Sequence, residues 1–381
     1  MRRSVRGDVD PFIVMDVMEA ARRAEASGRD IVHMEVGQPG TGAPRAALEK
    51  LASALDQPLG YTVGLGLPAL RDRIARHYGE WYDLDLDPHR IVITSGASGA
   101  FLLAFSALFD NGARVGLGTP CYPSYRQILK AVGLVPVDIP TRFEHRFQPQ
   151  PADVAARDLE GLIVASPANP TGAMLDKAAL SDLAAACADH DVAFVSDEIY
   201  HGIDYDTSPV TALSVTDDVY VVNSFSKYFS MTGWRVGWMV VPEDHVRTVE
   251  RLAQNMFICA PHAAQLLALH AMDCTEELQA NKATYTKNRD LMIAGLHAAG
   301  FDRFAPPDGA FYIYVDVSAY TDDAQVFARE ILDRAGVAVT PGLDFDATRG
   351  HRWLRFSYAR STADMREGLD RLAAFMQVRA R

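Results

Sequence analysis

Cysteine is scarce. The 381 residues contain four, Cys121, Cys187, Cys259 and Cys274, with no CxxC pair and no metal-ligand spacing. That argues against a disulfide-stapled secreted scaffold and a structural metal site, and free thiols in a reducing cytoplasm are expected. Long apolar runs are also missing: no segment approaches the roughly 18 uninterrupted apolar residues of a spanning helix. Arg2, Arg3 and Arg6 are not followed by the apolar stretch of a secretory signal. Positive charge is in deficit, Lys+Arg 37 against Asp+Glu 49 for a net −12. A chain drawn as a whole to nucleic acid or an anionic membrane is therefore not expected. A local basic pocket for a small anion stays open. Internal repeats and low-complexity linkers are absent.

What is present is an ordinary globular composition, 49% hydrophobic and 23% charged, long enough for one large domain and a smaller one. Short β-branched runs alternate with Ala- and Leu-rich stretches, the pattern of an α/β sheet that is mostly parallel and flanked by helices. Strands are expected at 90–94, 114–117, 161–165, 193–196, 219–223 and 236–241. Helices are expected at 97–108, 125–132, 177–190, 242–254 and 262–272. The ends differ, with an arm and a helix at 11–27, strands near 310–315 and 336–340, and a closing helix near 363–377. We read residues 1–45 as an arm and part of a small α/β domain, 46–280 as the large domain, and 281–381 as the rest of the small one.

Polar motifs sit just after expected strands, where ligands bind in open parallel α/β sheets. Thr94-Ser95-Gly96-Ala97-Ser98-Gly99-Ala100 joins a strand to a helix whose first N–H groups could hold a phosphate. Alone, it is better read as a tight turn. Ser166-Pro167-Ala168-Asn169-Pro170-Thr171-Gly172 fixes an unusual loop with Asn169 as a rigid hydrogen-bond donor; for so dense a motif a plain structural turn is the weaker reading. Asp197-Glu198-Ile199-Tyr200 places an acid at the end of a buried strand, where it must be paired or solvated. A helix-capping Asp and a packing Tyr would look the same. Ser224-Phe225-Ser226-Lys227 leads to Arg235, whose planar fork suits a phosphate beside the Ser224 hydroxyl. Burial would lower the Lys227 pKa and make its amine nucleophilic. A lone Ser-x-Lys is normally a surface lysine, and the company of the other motifs reverses that reading.

In this order, across about residues 36–360, the motifs resemble the class I/II aminotransferases of the fold-type I pyridoxal-phosphate (PLP) group, which includes aspartate and aromatic aminotransferases. The resemblance implies that fold and pyridoxal 5′-phosphate as cofactor, with Lys227 as Schiff-base lysine and proton shuttle. Asp197 would face the ring nitrogen, and Asn169 and Tyr200 the ring hydroxyl. Gly96, Ala97 and Ser98 would form the phosphate cup with Ser224 and Arg235, and Tyr122 would stack on the ring. Tyr61 resembles the tyrosine that reaches a neighbouring subunit's phosphate, implying a homodimer with active sites at the interface. Arg355, in Arg355-Phe356-Ser357-Tyr358-Ala359, would grip the substrate α-carboxylate together with Gly37 and Asn169. Arg352 and Arg360 compete for that role. Ser226 and His201 are left without a firm role, His201 being read as supporting structure.

Three functions are compatible. The first transfers an amino group from an L-amino acid to a 2-oxo acid. The second is a carbon–sulfur β-lyase on the same fold, and the third a non-catalytic cofactor-binding sensor fused to a DNA-binding domain. The net acidity and the short stretch before the fold disfavour the sensor. No second arginine is evident for a distal carboxylate, so the amino donor stays open.

Overall fold

The computed structural model describes residues 2–379. Helix α1 (Ile13–Ala26) and strand β1 (Val32–His33) lead into α2 (Arg45–Ala54) and α3 (Pro68–Tyr82). Strand–helix alternation follows: β2 (Ile91–Thr94), α4 (Gly96–Leu108), β3 (Arg114–Thr119), α5 (Pro123–Ala131), β4 (Val135–Pro140), α6 (Pro151–Ala155), β5 (Gly161–Ala165) and α7 (Lys177–Asp189). Next come β6 (Ala193–Asp197), β7 (Tyr220–Ser224), β8 (Gly237–Val240), α8 (Val246–Met256), α9 (His262–Ala271) and α10 (Thr275–Ala298). The chain closes with β9 (Tyr312–Asp316), α11 (Ala324–Ala335), β10 (Val337–Ala338), β11 (Thr340–Pro341), β12 (Trp353–Ser357) and α12 (Thr362–Arg379).

Strands β2 to β8 form one sheet in the order β2-β8-β7-β6-β5-β3-β4. Its pairs from β4 to β7 are parallel, and β8 runs antiparallel to both β2 and β7. Both faces are covered, which is why its strands read as near-continuous apolar runs. Val221 joins one core layer and its neighbour Val222 the other; Ile91 and Ile93 likewise oppose Val92. The two ends of the chain meet: β1 pairs with β10, Val32 opposite Val337. Beside them, β11, β12 and β9 make an antiparallel sheet that carries Arg355 opposite Tyr314 and Thr340.

The expected central strands are present within a residue or two. Helix α8 starts later than residue 242, because Glu243–His245 forms a separate 3-10 turn. The strand expected at 336–340 is two short pieces, and α10 runs through residue 280 without a break. Strand β4 escaped the sequence reading because it carries Pro136 and Pro140 and buries only Ile139. It lies at the sheet edge, where a missing N–H is tolerated.

Candidate active site

The carboxyl ends of β2, β3, β5, β6 and β7 open onto one cleft of about 200 Å3. Motifs distant in sequence meet there because a parallel sheet aims every strand end the same way. Ala97 and Ser98 come from the first turn of α4, Tyr122 from the loop after β3, Asn169 from the proline loop after β5, and Asp197 and Tyr200 from the end of β6. Ser224, Ser226, Lys227 and Arg235 arrive from β7 and the turn beyond it, and Gly37 and Arg355 complete the wall. Arg352 and Arg360 do not line it.

Lys227 stands at the centre. Its side chain is half-buried in the cleft wall, Nζ donating to the Gly37 carbonyl at 2.6 Å. Burial first, then the positive charges of Arg355 and Arg235, lower its pKa to about 7, against a small opposing pull from Asp197. A large fraction of the amine is then neutral near physiological pH. Asp197 is buried; one oxygen accepts from the Ile199 N–H at 3.2 Å and the other from the Tyr125 hydroxyl. Burial raises its pKa to about 6, with Tyr125 and Ile199 working the other way. A cationic ring nitrogen beside it would restore a fully ionised carboxylate.

Arg355 lies buried between aromatic faces, its guanidinium carbon 4.4 Å from the Tyr312 ring centre and 4.8 Å from that of Phe345. Nη1 donates to Asn169 Oδ1 at 2.9 Å, and Nη2 to the Glu35 carbonyl and, at 3.3 Å, to Thr340 Oγ1. Nε is buried without a partner. Part of the fork expected to face a carboxylate is thus spent on holding the arginine in place, which leaves the Nε N–H and one Nη1 N–H without a protein acceptor. An unpaired donor on a buried cation is costly unless a ligand completes it. With Oδ1 committed to Arg355, Asn169 keeps its amide N–H groups for a ligand.

The donors around α4 suit a phosphate. Ser95 caps the helix without a side-chain hydrogen bond, so the first N–H groups stay free. Ser224 Oγ lies 2.9 Å from Ser226 Oγ and accepts from the Ser226 N–H at 3.1 Å. Gly96 does not line the cleft itself, but its φ of +73° is a left-handed backbone that favours glycine, and it brings the turn against the Arg235 guanidinium. Two hydroxyls, a guanidinium and a helix start form the cup, and a phosphate-bearing cofactor fits this donor set.

Two functional candidates were missed by sequence reasoning. Tyr125, one helical turn after Tyr122, bonds Asp197; the Tyr-x-x-Tyr spacing was its only signal. Tyr312 lines the cleft and bonds Tyr200, Oη to Oη at 2.8 Å. A Cβ added to Gly37 would overlap the Tyr312 hydroxyl, so the two positions constrain each other. In sequence, Phe311-Tyr312-Ile313-Tyr314 reads simply as a core strand.

Tyr61 is not brought into this cleft. It is 81% exposed and borders a surface groove with Ser95, Phe257 and Cys259. His201 is buried outside the cleft, its Nε2 donating to the Ser166 carbonyl at 2.9 Å and its Nδ1 accepting from Tyr82 Oη at 2.7 Å. Burial lowers its pKa to about 3, so it is a neutral brace for the proline loop.

Residues 29–372 match the model of the family "Aminotransferase class I and II". The valine–pyruvate aminotransferase of Mycobacterium tuberculosis is 44% identical, covering 98% of each chain. A crystal structure from Silicibacter pomeroyi is 68% identical over 99% of this chain and 100% of that one, with a TM-score of 0.96. The aspartate aminotransferase of Thermus thermophilus, solved with maleate, is 32% identical over 98% of this chain and 100% of that one, with a TM-score of 0.92.

Proposed function

The chain belongs to the class I and II aminotransferases, and from that premise we propose that it binds pyridoxal 5′-phosphate at Lys227 and takes its amino group from a neutral aliphatic L-amino acid. Amino-group transfer to a 2-oxo acid is its reaction, and the β-lyase reading is set aside because the relatives named above transfer amino groups. When bound, the cofactor supplies an aldehyde to carry the amino group and a ring that spreads the negative charge left on the substrate's α-carbon.

The chain's own residues do the rest. Lys227 Nζ, neutral because it is buried beside two arginines, takes the proton from the α-carbon and returns it to the other side of the exchange. Asp197 would face the ring nitrogen of the bound cofactor and favour its protonated form, while Tyr125 holds the carboxylate in orientation. Ser224, Arg235 and the start of α4 hold the phosphate, and Tyr122 covers the ring. Arg355 and Asn169 receive the α-carboxylate, leaving the amino group on the side of Lys227. Tyr61, exposed beside its own groove, reaches the phosphate of a second copy, making a homodimer the active unit.

The donor class follows from the cleft's charge. Among the described residues, Lys227, Arg235 and Arg355 are the only lysine or arginine side chains lining it. All three are committed, so none of this chain's own cations in the cleft remains for a distal carboxylate, whereas Phe12, Val14, Met15 and Val36 offer an apolar wall. The valine donor named for the 44% identical relative agrees with this reading. The convergence of Lys227, Asp197, Asn169, Arg235 and Arg355 on one cleft is the observation that carries the site assignment. A panel of donors against pyruvate and 2-oxoglutarate tests the proposal: valine and alanine should turn over well and aspartate poorly. Preferred turnover of aspartate would overturn the donor class. Pyruvate and ammonia formed from cysteine conjugates without any 2-oxo acid would revive the lyase.

A further inference from the structure

The apolar wall has a weak foundation. Of the fourteen residues of α1, only Val14 and Ala21 are buried. A groove lined by Ile13, Val17, Ala20, Ala328, Leu332 and Pro341 runs beneath the helix. In its first turn only Val14 is buried, so packing fixes the start of the helix at a single point. The helix also lacks a cap of its own, since Phe12 occupies the N-cap position and makes no side-chain hydrogen bond. Four N–H groups at a helix start need partners, and an apolar N-cap supplies none.

Asp344 supplies partners for two of them from the far end of the chain. Its Oδ1 accepts from the Ile13 N–H at 3.0 Å and its Oδ2 from the Val14 N–H at 3.1 Å. Asp344 lies in the 3-10 turn that follows β11, the strand paired with the one carrying Arg355. The carboxylate thus ties the first turn of α1 to the sheet that presents the substrate's carboxylate anchor. On the other side of Phe12, the Asp10 N–H donates to Gln127 of α5 at 3.0 Å and Asp10 Oδ2 pairs with Lys130 at 2.8 Å. Phe12 is held between these anchors with its ring edge-on to Tyr122 at 6.0 Å. Met15 stays 53% exposed on the cleft's open side, and Val14 and Val36 lie further in.

We propose that Asp344 is a positioning residue for donor specificity: by capping α1 from a distance, it holds Phe12, Val14 and Met15 as the wall that receives an aliphatic side chain. The inference rests on the donor class proposed above. With the carboxylate at Arg355 and the amine at Lys227, a branched side chain meets this wall and a methyl group scarcely does. The device therefore acts on the side chain and not on the chemistry.

The test compares wild type, Asp344→Ala and Asp344→Asn as cofactor-loaded enzymes, with valine and alanine as donors and 2-oxoglutarate as acceptor. Asp344→Ala should raise KM for valine roughly tenfold, the size of effect that loss of a helix cap produces, with kcat nearly unchanged. KM for alanine should move less than about twofold. Asp344→Asn, which keeps one acceptor, should fall between them and carries the test should the alanine variant fail to fold. Hydrogen exchange at the Ile13 and Val14 amides should quicken in the same order. An equal loss for both donors, an unchanged KM for valine, or unchanged exchange at these amides would each overturn the inference. Wild-type enzyme that accepts neither donor would instead overturn the reading of the site on which it rests.

Discussion

Replacing Lys227 by Met removes the one cation that the cleft holds against its own preference. Burial and the charges of Arg355 and Arg235 bring the Lys227 pKa from an ordinary 10.5 to about 7. Below about pH 7 the amine is charged in both folded and unfolded chains, and the folded protein bears the whole cost of burying it. Between about 7 and 10.5 the unfolded chain binds the extra proton, so stability must rise with pH, by at most about 1.4 kcal/mol per unit. From pH 7 to pH 9 the gain is at most about 2 kcal/mol, since water in the cleft trims it. Lys227→Met has no such group. Urea unfolding of both cofactor-free proteins across this range measures the difference, and the groups that do not interact with Lys227 cancel between them. The wild-type curve should climb relative to that of the variant and level off above pH 10.5. Parallel curves would mean the amine has an ordinary pKa, and the neutral-base argument would fail.

Two further substitutions probe the walls of the site. Arg355→Lys should raise KM for amino donors by well over tenfold, about 2 kcal/mol for a planar charge-assisted contact that an ammonium cannot copy; steady-state kinetics with valine checks it, and an unchanged KM would move the carboxylate site elsewhere. Gly37→Ala should push Tyr312 off Tyr200, because the new methyl group would overlap the Tyr312 hydroxyl. A loss of kcat/KM of about tenfold or more should result, at about 1 to 3 kcal/mol for overpacking, and combining it with Tyr312→Phe should recover part of it.

The large sheet was legible because its strands are buried on both faces and so appear as continuous β-branched runs between helical stretches. Edge strand β4 was not, since its prolines signal a loop to any local reading. Most of the site was legible for a different reason. Gly96, Asn169, Asp197 and Lys227 each lie at or just beyond the end of a strand, and a parallel sheet sends such positions to one edge regardless of their separation. What stayed hidden are contacts between side chains of unremarkable local context. Tyr312 looks like any aromatic in a buried strand until its hydroxyl meets Tyr200. Asp344 looks like a turn residue, and only the fold brings it to the start of α1. Arg355 could be chosen over Arg352 and Arg360 by its flanking residues, but which of its nitrogens stays free depends on Glu35, Asn169 and Thr340 arriving from three other segments.

The most direct test is to incubate the purified protein with pyridoxal 5′-phosphate, reduce it with borohydride, and map the modified peptide by mass spectrometry. The phosphopyridoxyl group should be found on Lys227 and should vanish in Lys227→Ala. A colourless protein that captures nothing, or capture at another lysine with Lys227 unmodified, would contradict the assignment of this amine.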